Sequence, residues 1–140
     1  MIRPVNILVA EDDLDDQEIF LTFLGKNSNL NFMPFANDGI ELISALEESA
    51  EKNELPHIII LAQNMPKQNG LQTLIRLKAD PKYQHIPVIV YSTYINDWLS
   101  EQCIMEGAAM VVSKPSDRAG YNNFASGLLN LSGNPQSKLF

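Results

Sequence analysis

The sequence is short of several things, and each shortage excludes a class of protein. It has one cysteine, Cys103, so no disulfide can form within the chain and no cysteine-built metal cluster exists. A single thiol of this kind is expected to serve as a small buried hydrophobe. No apolar run comes near the roughly 20 residues needed to cross a bilayer. The opening stretch, MIRPVNILVAEDD, turns acidic too early for a signal peptide. No membrane association and a cytoplasmic location are therefore expected. Positive charge is also scarce: 10 Lys and Arg stand against 17 Asp and Glu, a formal charge of −7. That balance repels nucleic acid, and no basic stripe reverses it. Internal repeats and low-complexity blocks are absent.

What remains suits one domain with one core. The chain has 140 residues, 45% of them hydrophobic, enough to bury a core without a staple. A domain is expected over residues 1–130, followed by a loosely held polar tail, LSGNPQSKLF, over 131–140.

Apolar runs alternate with helical patterns along the chain. VNILVA (5–10) reads as a buried strand. Asp12 or Asp13 can cap the next helix, whose apolar stripe is Ile19, Phe20, Phe23 and Leu24, with Gly25 as a stop. NFMPFA (31–36) reads as a second strand, and Pro34 within it favours an edge of the sheet. A helix bearing Ile40, Ile43 and Leu46 follows. HIIIL (57–61) suits a strand buried on both faces. A helix over 70–79 carries Leu71, Leu74 and Ile75; VIVY (88–91) is a fourth strand; a helix over 96–106 ends at Gly107. MVVS (110–113) is a fifth strand, and a last helix covers 117–129 with Phe124, Leu128 and Leu129 on one side. Five strand–helix alternations predict an α/β fold: a doubly wound parallel five-stranded sheet with right-handed crossovers. Ligands of such folds sit beyond the carboxyl ends of the strands.

The residues just past those ends are therefore the candidates. After the first strand come Glu11, Asp12 and Asp13; after the third, Ala62, Gln63, Asn64, Met65 and Pro66; after the fourth, Ser92 and Thr93; after the fifth, Lys114 and Pro115. Taken singly, the acids are also helix caps, and a serine or lysine in a loop is also just solvated. Together they bring carboxylates, hydroxyls and an ammonium to one rim. Hard oxygen donors of this kind suit Mg²⁺.

With these residues in place the sequence resembles the receiver domain of two-component response regulators, the CheY-like superfamily. The resemblance spans about residues 4 to 130 and rests on ILVAEDD, IIILAQNMPKQNG, HIPVIVYST and GAAMVVSKP. It is closest in kind to stand-alone receivers with an extended loop after the third strand. It implies strand order 2-1-3-4-5 and a place in a phosphorelay, with a histidine kinase or another signalling protein as partner. It implies that Glu11 and Asp12, with the backbone carbonyl of Asn64, hold Mg²⁺. Ser92, beside Thr93, would bond a phosphoryl group, and Lys114 would pair with it. The Lys114–Pro115 peptide would be cis, and Met65–Pro66 and Gly70 would complete the acceptor loop.

The acceptor itself is the departure. The resemblance implies an aspartate at position 62, and the chain has Ala62 there. A methyl group can neither attack a phosphoryl donor nor ligate a metal. Gln63 and Asn64 are amides, so no shift of register recovers a nucleophile. Mg²⁺ binding is expected to be weak, with one carboxylate missing. Ala62→Asp is expected to restore phosphorylation. A second departure lies three positions before Lys114, where the family often has an aromatic ring that turns inward on activation; here it is Val111.

Two origins fit: a natural pseudo-receiver that signals by protein contact and not by catalysis, or an ordinary receiver carrying an Asp-to-Ala replacement. For the first, the expected output surface lies on the fourth helix and fifth strand. Trp98, Gln102 and Met105 share one side of that helix beside Val111, a surface on which a partner or a second copy could dock. A flavodoxin-like electron carrier has the same alternation, but three acids after the first strand would repel its phosphate. A phosphatase with Asp12 as nucleophile would leave the NMP and KP motifs without a purpose.

Overall fold

A computed structural model describes residues 3–132 of the chain. Five strands, β1 (Val5–Ala10), β2 (Leu30–Phe32), β3 (Ile58–Ala62), β4 (Val88–Ser92) and β5 (Met110–Ser113), form one parallel sheet. Their order is β2-β1-β3-β4-β5, as the resemblance implies. The helices between and after them are α1 (Leu14–Leu24), α2 (Gly39–Glu51), α3 (Gly70–Lys78), α4 (Asp97–Met105) and α5 (Arg118–Leu131).

Side chains alternate across each strand, so the sheet feeds two cores. Leu8, Ile59, Leu61, Val88 and Val90 point to one face and pack with Leu42 and Leu46 of α2, Leu74 and Leu77 of α3, and Leu99 and Cys103 of α4. Val9, Ile60, Ala62, Ile89 and Tyr91 point to the other, against Phe20 and Leu24 of α1 and Tyr121, Ala125 and Leu128 of α5. The expected burial of Cys103 holds, and burial raises its thiol pKa above the ordinary value. Phe20 meets Phe32, Phe35, Tyr91, Tyr121 and Phe124 edge-on, with centroids 5.4–6.2 Å apart. That arrangement favours aromatic quadrupoles and fixes the ring of Tyr91 from below.

Every helix starts on a side chain that accepts from its first turn: Asp13, Asp38, Asn69, Asn96 and Asp117. These caps satisfy amides that the helix leaves unpaired. Asp13, not Asp12, caps α1, its Oδ1 accepting from the Asp16 N–H at 3.1 Å.

Three expectations change. The second strand is shorter than 31–36: it ends at Phe32, and after the Met33 N–H donates to the Ile7 carbonyl the next donor to β1 is Ala36 and not Phe35, so one extra residue bulges out of the ladder beside Pro34. Chain pairing resumes at Ala36, whose N–H donates to the Val9 carbonyl at 2.9 Å, and β2 is an edge strand as Pro34 suggested. Ile19, Ile40 and Ile75, placed in the expected apolar stripes, are exposed. Leu24, Leu42 and Leu77 carry the burial at those faces. Finally, α5 runs on to Leu131, two residues past the expected end, while the tail residues 133–140 lie outside the described residues.

Candidate functional site

The carboxyl ends of β1, β3, β4 and β5 bring the predicted rim residues onto one edge of the sheet. Ala10 pairs with Leu61, and Ala62 pairs with Tyr91, so Glu11, Ala62 and Tyr91 stand level on three adjacent strands. Ala62 is the last residue of β3, and its methyl group is fully buried on the α1 and α5 face.

Glu11 is 1% exposed, and a buried carboxylate must be compensated. Here it is. Its Oε1 accepts from the Tyr91 hydroxyl at 2.6 Å and from the Lys114 ammonium at 3.0 Å. Its Oε2 accepts from the Asp13 N–H at 3.3 Å. Its backbone carbonyl accepts from the Gln17 side-chain amide, and its N–H donates to the Ala36 carbonyl. Lys114 also donates to Asp16 Oδ2 at 2.8 Å, and its Nζ lies 5.0 Å from the Tyr91 ring centroid. That adds a cation–π contact. One cation thus sits between two carboxylates and over one ring.

The electrostatics follow from this packing. Burial lowers the Lys114 pKa, but hydrogen bonds to Asp16 and Glu11 and their charges outweigh it, and the net shift is upward. Burial pushes the Tyr91 hydroxyl far above the ordinary tyrosine range, and the Glu11 charge pushes it further. Tyr91 is therefore a hydrogen-bond donor at any working pH.

The other predicted residues fall differently. Asp12 and Asn64 are exposed at the rim, and Thr93 is exposed. Ser92 is buried, and its Oγ accepts from the Tyr94 N–H at 3.3 Å. The Lys114 N–H donates to the Ser92 carbonyl at 3.0 Å, which carries the β4–β5 pairing up to the site. The cis Lys114–Pro115 bond is corrected: no cis peptide occurs among the described residues. Trans is the intrinsically favoured isomer even before proline.

The loop after β3 is tightly specified. The Gly70 N–H donates to the Gln63 carbonyl at 3.1 Å, and Gln63 Oε1 accepts from the Leu71 N–H at 2.9 Å. A Cβ on Gly70 would lie 2.8 Å from the Ala62 carbonyl oxygen, so only glycine fits there. Asn69 and Gln72 form a reciprocal capping box at the start of α3.

The donor set fits Mg²⁺ poorly. Position 62 supplies no side-chain oxygen, Glu11 Oε1 already accepts two hydrogen bonds, and Lys114 places a positive charge 3.0 Å from it. Among the described residues, no group of three His, Cys, Asp or Glu side chains is placed to hold a metal ion.

Tyr91 and Asp16 were not predicted as site residues. Tyr91 was read only as the end of a strand, and Asp16 was not singled out. The available signal was that a tyrosine at the end of a buried strand needs a partner for its hydroxyl. On α4, Trp98 is 61% and Met105 77% exposed, while Gln102 is half-buried. Val111 is half-buried too, but it packs against the core that lies under α4.

Comparison with known proteins agrees with this architecture. The response regulator receiver domain family model matches residues 7–122. Response regulator Rcp1 of Synechocystis is 28% identical over 96 residues, 67% of this chain and 65% of that protein. The match spans between 9% and 65% of the first curated relatives' own lengths. Among solved structures, the phosphorylated cyanobacterial phytochrome response regulator RcpA superposes with a TM-score of 0.77 at 23% identity, covering 91% of this chain and 92% of that one. The Mn²⁺-bound form of Rcp1 gives a TM-score of 0.73 at 22% identity, covering 91% and 93%.

Proposed function

This chain belongs to the response regulator receiver domain family of two-component signalling, and from that premise we propose that it is a non-phosphorylatable pseudo-receiver. The observation that carries the proposal is Ala62: the last residue of β3 is a buried methyl where the family's pattern puts the phospho-accepting carboxylate. Glu11 and Lys114, which would serve a metal and a phosphoryl group, are bonded to each other and to Tyr91 and Asp16.

A natural origin for Ala62 is favoured over an isolated replacement by Tyr91. A single Asp-to-Ala change would leave the rest of the site as a phosphate acceptor needs it. Here the neighbouring strand also supplies a hydroxyl that satisfies Glu11.

The domain then acts by contact and not by catalysis. Its partner is a histidine kinase or another signalling protein, or a second copy of itself, engaged through α4 and the adjoining β5 strand. The exposed Trp98 and Met105 support that surface. Mg²⁺ plays at most a weak part.

The test is incubation of the unsubstituted chain with acetyl phosphate and Mg²⁺, read by intact-mass spectrometry. No added phosphoryl group is expected. A stoichiometric, base-labile acyl phosphate would overturn the proposal.

A further inference from the structure

Tyr91 reaches across the sheet. It starts on β4, and its hydroxyl ends 2.6 Å from Glu11, which follows β1. Strand β3 lies between those two, and the level residue on β3 is Ala62. Adjacent strands are about 4.8 Å apart, so a hydroxyl that bridges β4 to the end of β1 must carry its ring over the β3 position between them. That ring is 1% exposed, held edge-on by Phe20 at 5.9 Å, with the Lys114 ammonium 5.0 Å from its centroid.

We infer that Tyr91 is a second block on this site, independent of Ala62: its ring covers position 62, and its hydroxyl with the Lys114 ammonium holds the Glu11 carboxylate. Restoring an aspartate alone therefore does not restore a receiver. A carboxylate built on position 62 would point into the ring, would face no free Glu11 oxygen on the Tyr91 side, and would find Lys114 already neutralised by two acids. This revises the expectation that Ala62→Asp suffices. The inference rests on the pseudo-receiver reading, and the experiment separates the two.

The unsubstituted chain, Ala62→Asp, and the double variant Ala62→Asp with Tyr91→Val are incubated with acetyl phosphate and Mg²⁺. In the reaction tested, the new carboxylate oxygen attacks phosphorus, the acetyl oxygen–phosphorus bond breaks, and acetate leaves. The double variant is expected to gain the phosphoryl group at least 10-fold faster than Ala62→Asp. Equal rates in the two variants would overturn the role of Tyr91, and so would a double variant that folds by circular dichroism and gains nothing. An adduct on the unsubstituted chain would instead overturn the pseudo-receiver reading.

If Tyr91→Val unfolds the protein, Ala62→Asp with Tyr91→Phe decides. Phenylalanine keeps the ring and removes the donor. Mg²⁺ titration by calorimetry is then expected to show several-fold tighter binding than in Ala62→Asp alone, because Glu11 Oε1 loses a competing hydrogen bond. Unchanged Mg²⁺ affinity would overturn the inference.

Discussion

Two segments flank Ala62, and they respond to it in opposite ways. The loop at 63–70 is held by contacts that ignore the side chain at position 62. Its anchors are the Gly70 N–H to the Gln63 carbonyl, the Leu71 N–H to Gln63 Oε1, and the capping box of Asn69 and Gln72. The corner at 11–16 is held by side-chain charge. Glu11 and Asp16 take Lys114 and Tyr91 as partners. Backbone-anchored geometry survives without an acceptor, whereas buried charges must be satisfied and so acquire partners of their own. The loop records the fold, and the corner records the function.

The comparison breaks most sharply at Glu11. Glu11→Ala would leave the buried Tyr91 hydroxyl without its acceptor and Lys114 with one carboxylate in place of two. Removing one partner of a buried network costs about 2–4 kcal/mol, here with Lys114 partly solvated. Urea denaturation should show that loss. Glu11→Gln should cost less, because its carbonyl oxygen can still accept from Tyr91. Equal losses would mean that the charge on Glu11 carries the whole effect and that the acceptor kept for Tyr91 contributes nothing.

Gly70→Ala tests the loop. The added methyl would meet the Ala62 carbonyl oxygen at 2.8 Å and the Gln63 Cα at 3.0 Å, both backbone atoms that move only with the loop. Overpacking of this kind costs about 1–3 kcal/mol. The loss should appear in the same denaturation series and should be the same in the Ala62→Asp background. Dependence on the residue at 62 would show that the loop and the acceptor position are not independent.

The sequence carried the architecture because it is written in patterns that single residues cannot override. HIIIL suits a strand buried on both faces, and β3 is one, while of the helix caps only that of α1 was anticipated, as Asp12 or Asp13. It also carried which residues reach the rim, since strand ends are fixed by chain order. It did not carry who bonds to whom there. Lys114 was paired with an absent phosphoryl group by resemblance, while in the fold it turns to Asp16 and Glu11. That choice depends on register across β1, β3 and β4, which puts Tyr91 level with Ala62. The end of β2 was misjudged for a local reason: one extra residue beside Pro34 breaks the alternation, so that Ala36 and not Phe35 takes up the pairing with β1.

The smallest effect on stability is expected where the largest effect on binding is. Trp98 lies on the outer side of α4, opposite the buried Leu99 and Cys103, and is 61% exposed. Met105, Ile104 and Tyr94 are exposed on or next to the same helix. Removing a side chain that lies outside the core changes folding stability by at most about 0.5 kcal/mol. An aromatic anchor at the centre of an interface contributes about 1–3 kcal/mol to binding. Trp98→Ala should therefore leave thermal melting unchanged while weakening association with a partner or with a second copy. A switch needs something that binds its two states differently, and under the pseudo-receiver proposal phosphate is not that ligand. The association should accordingly be insensitive to acetyl phosphate, measured on the same protein by titration or by sedimentation. A fall in melting temperature would place Trp98 in the core and remove this surface. Unchanged affinity with unchanged melting would move the docking site off α4 and leave the contrast between loop and corner untouched.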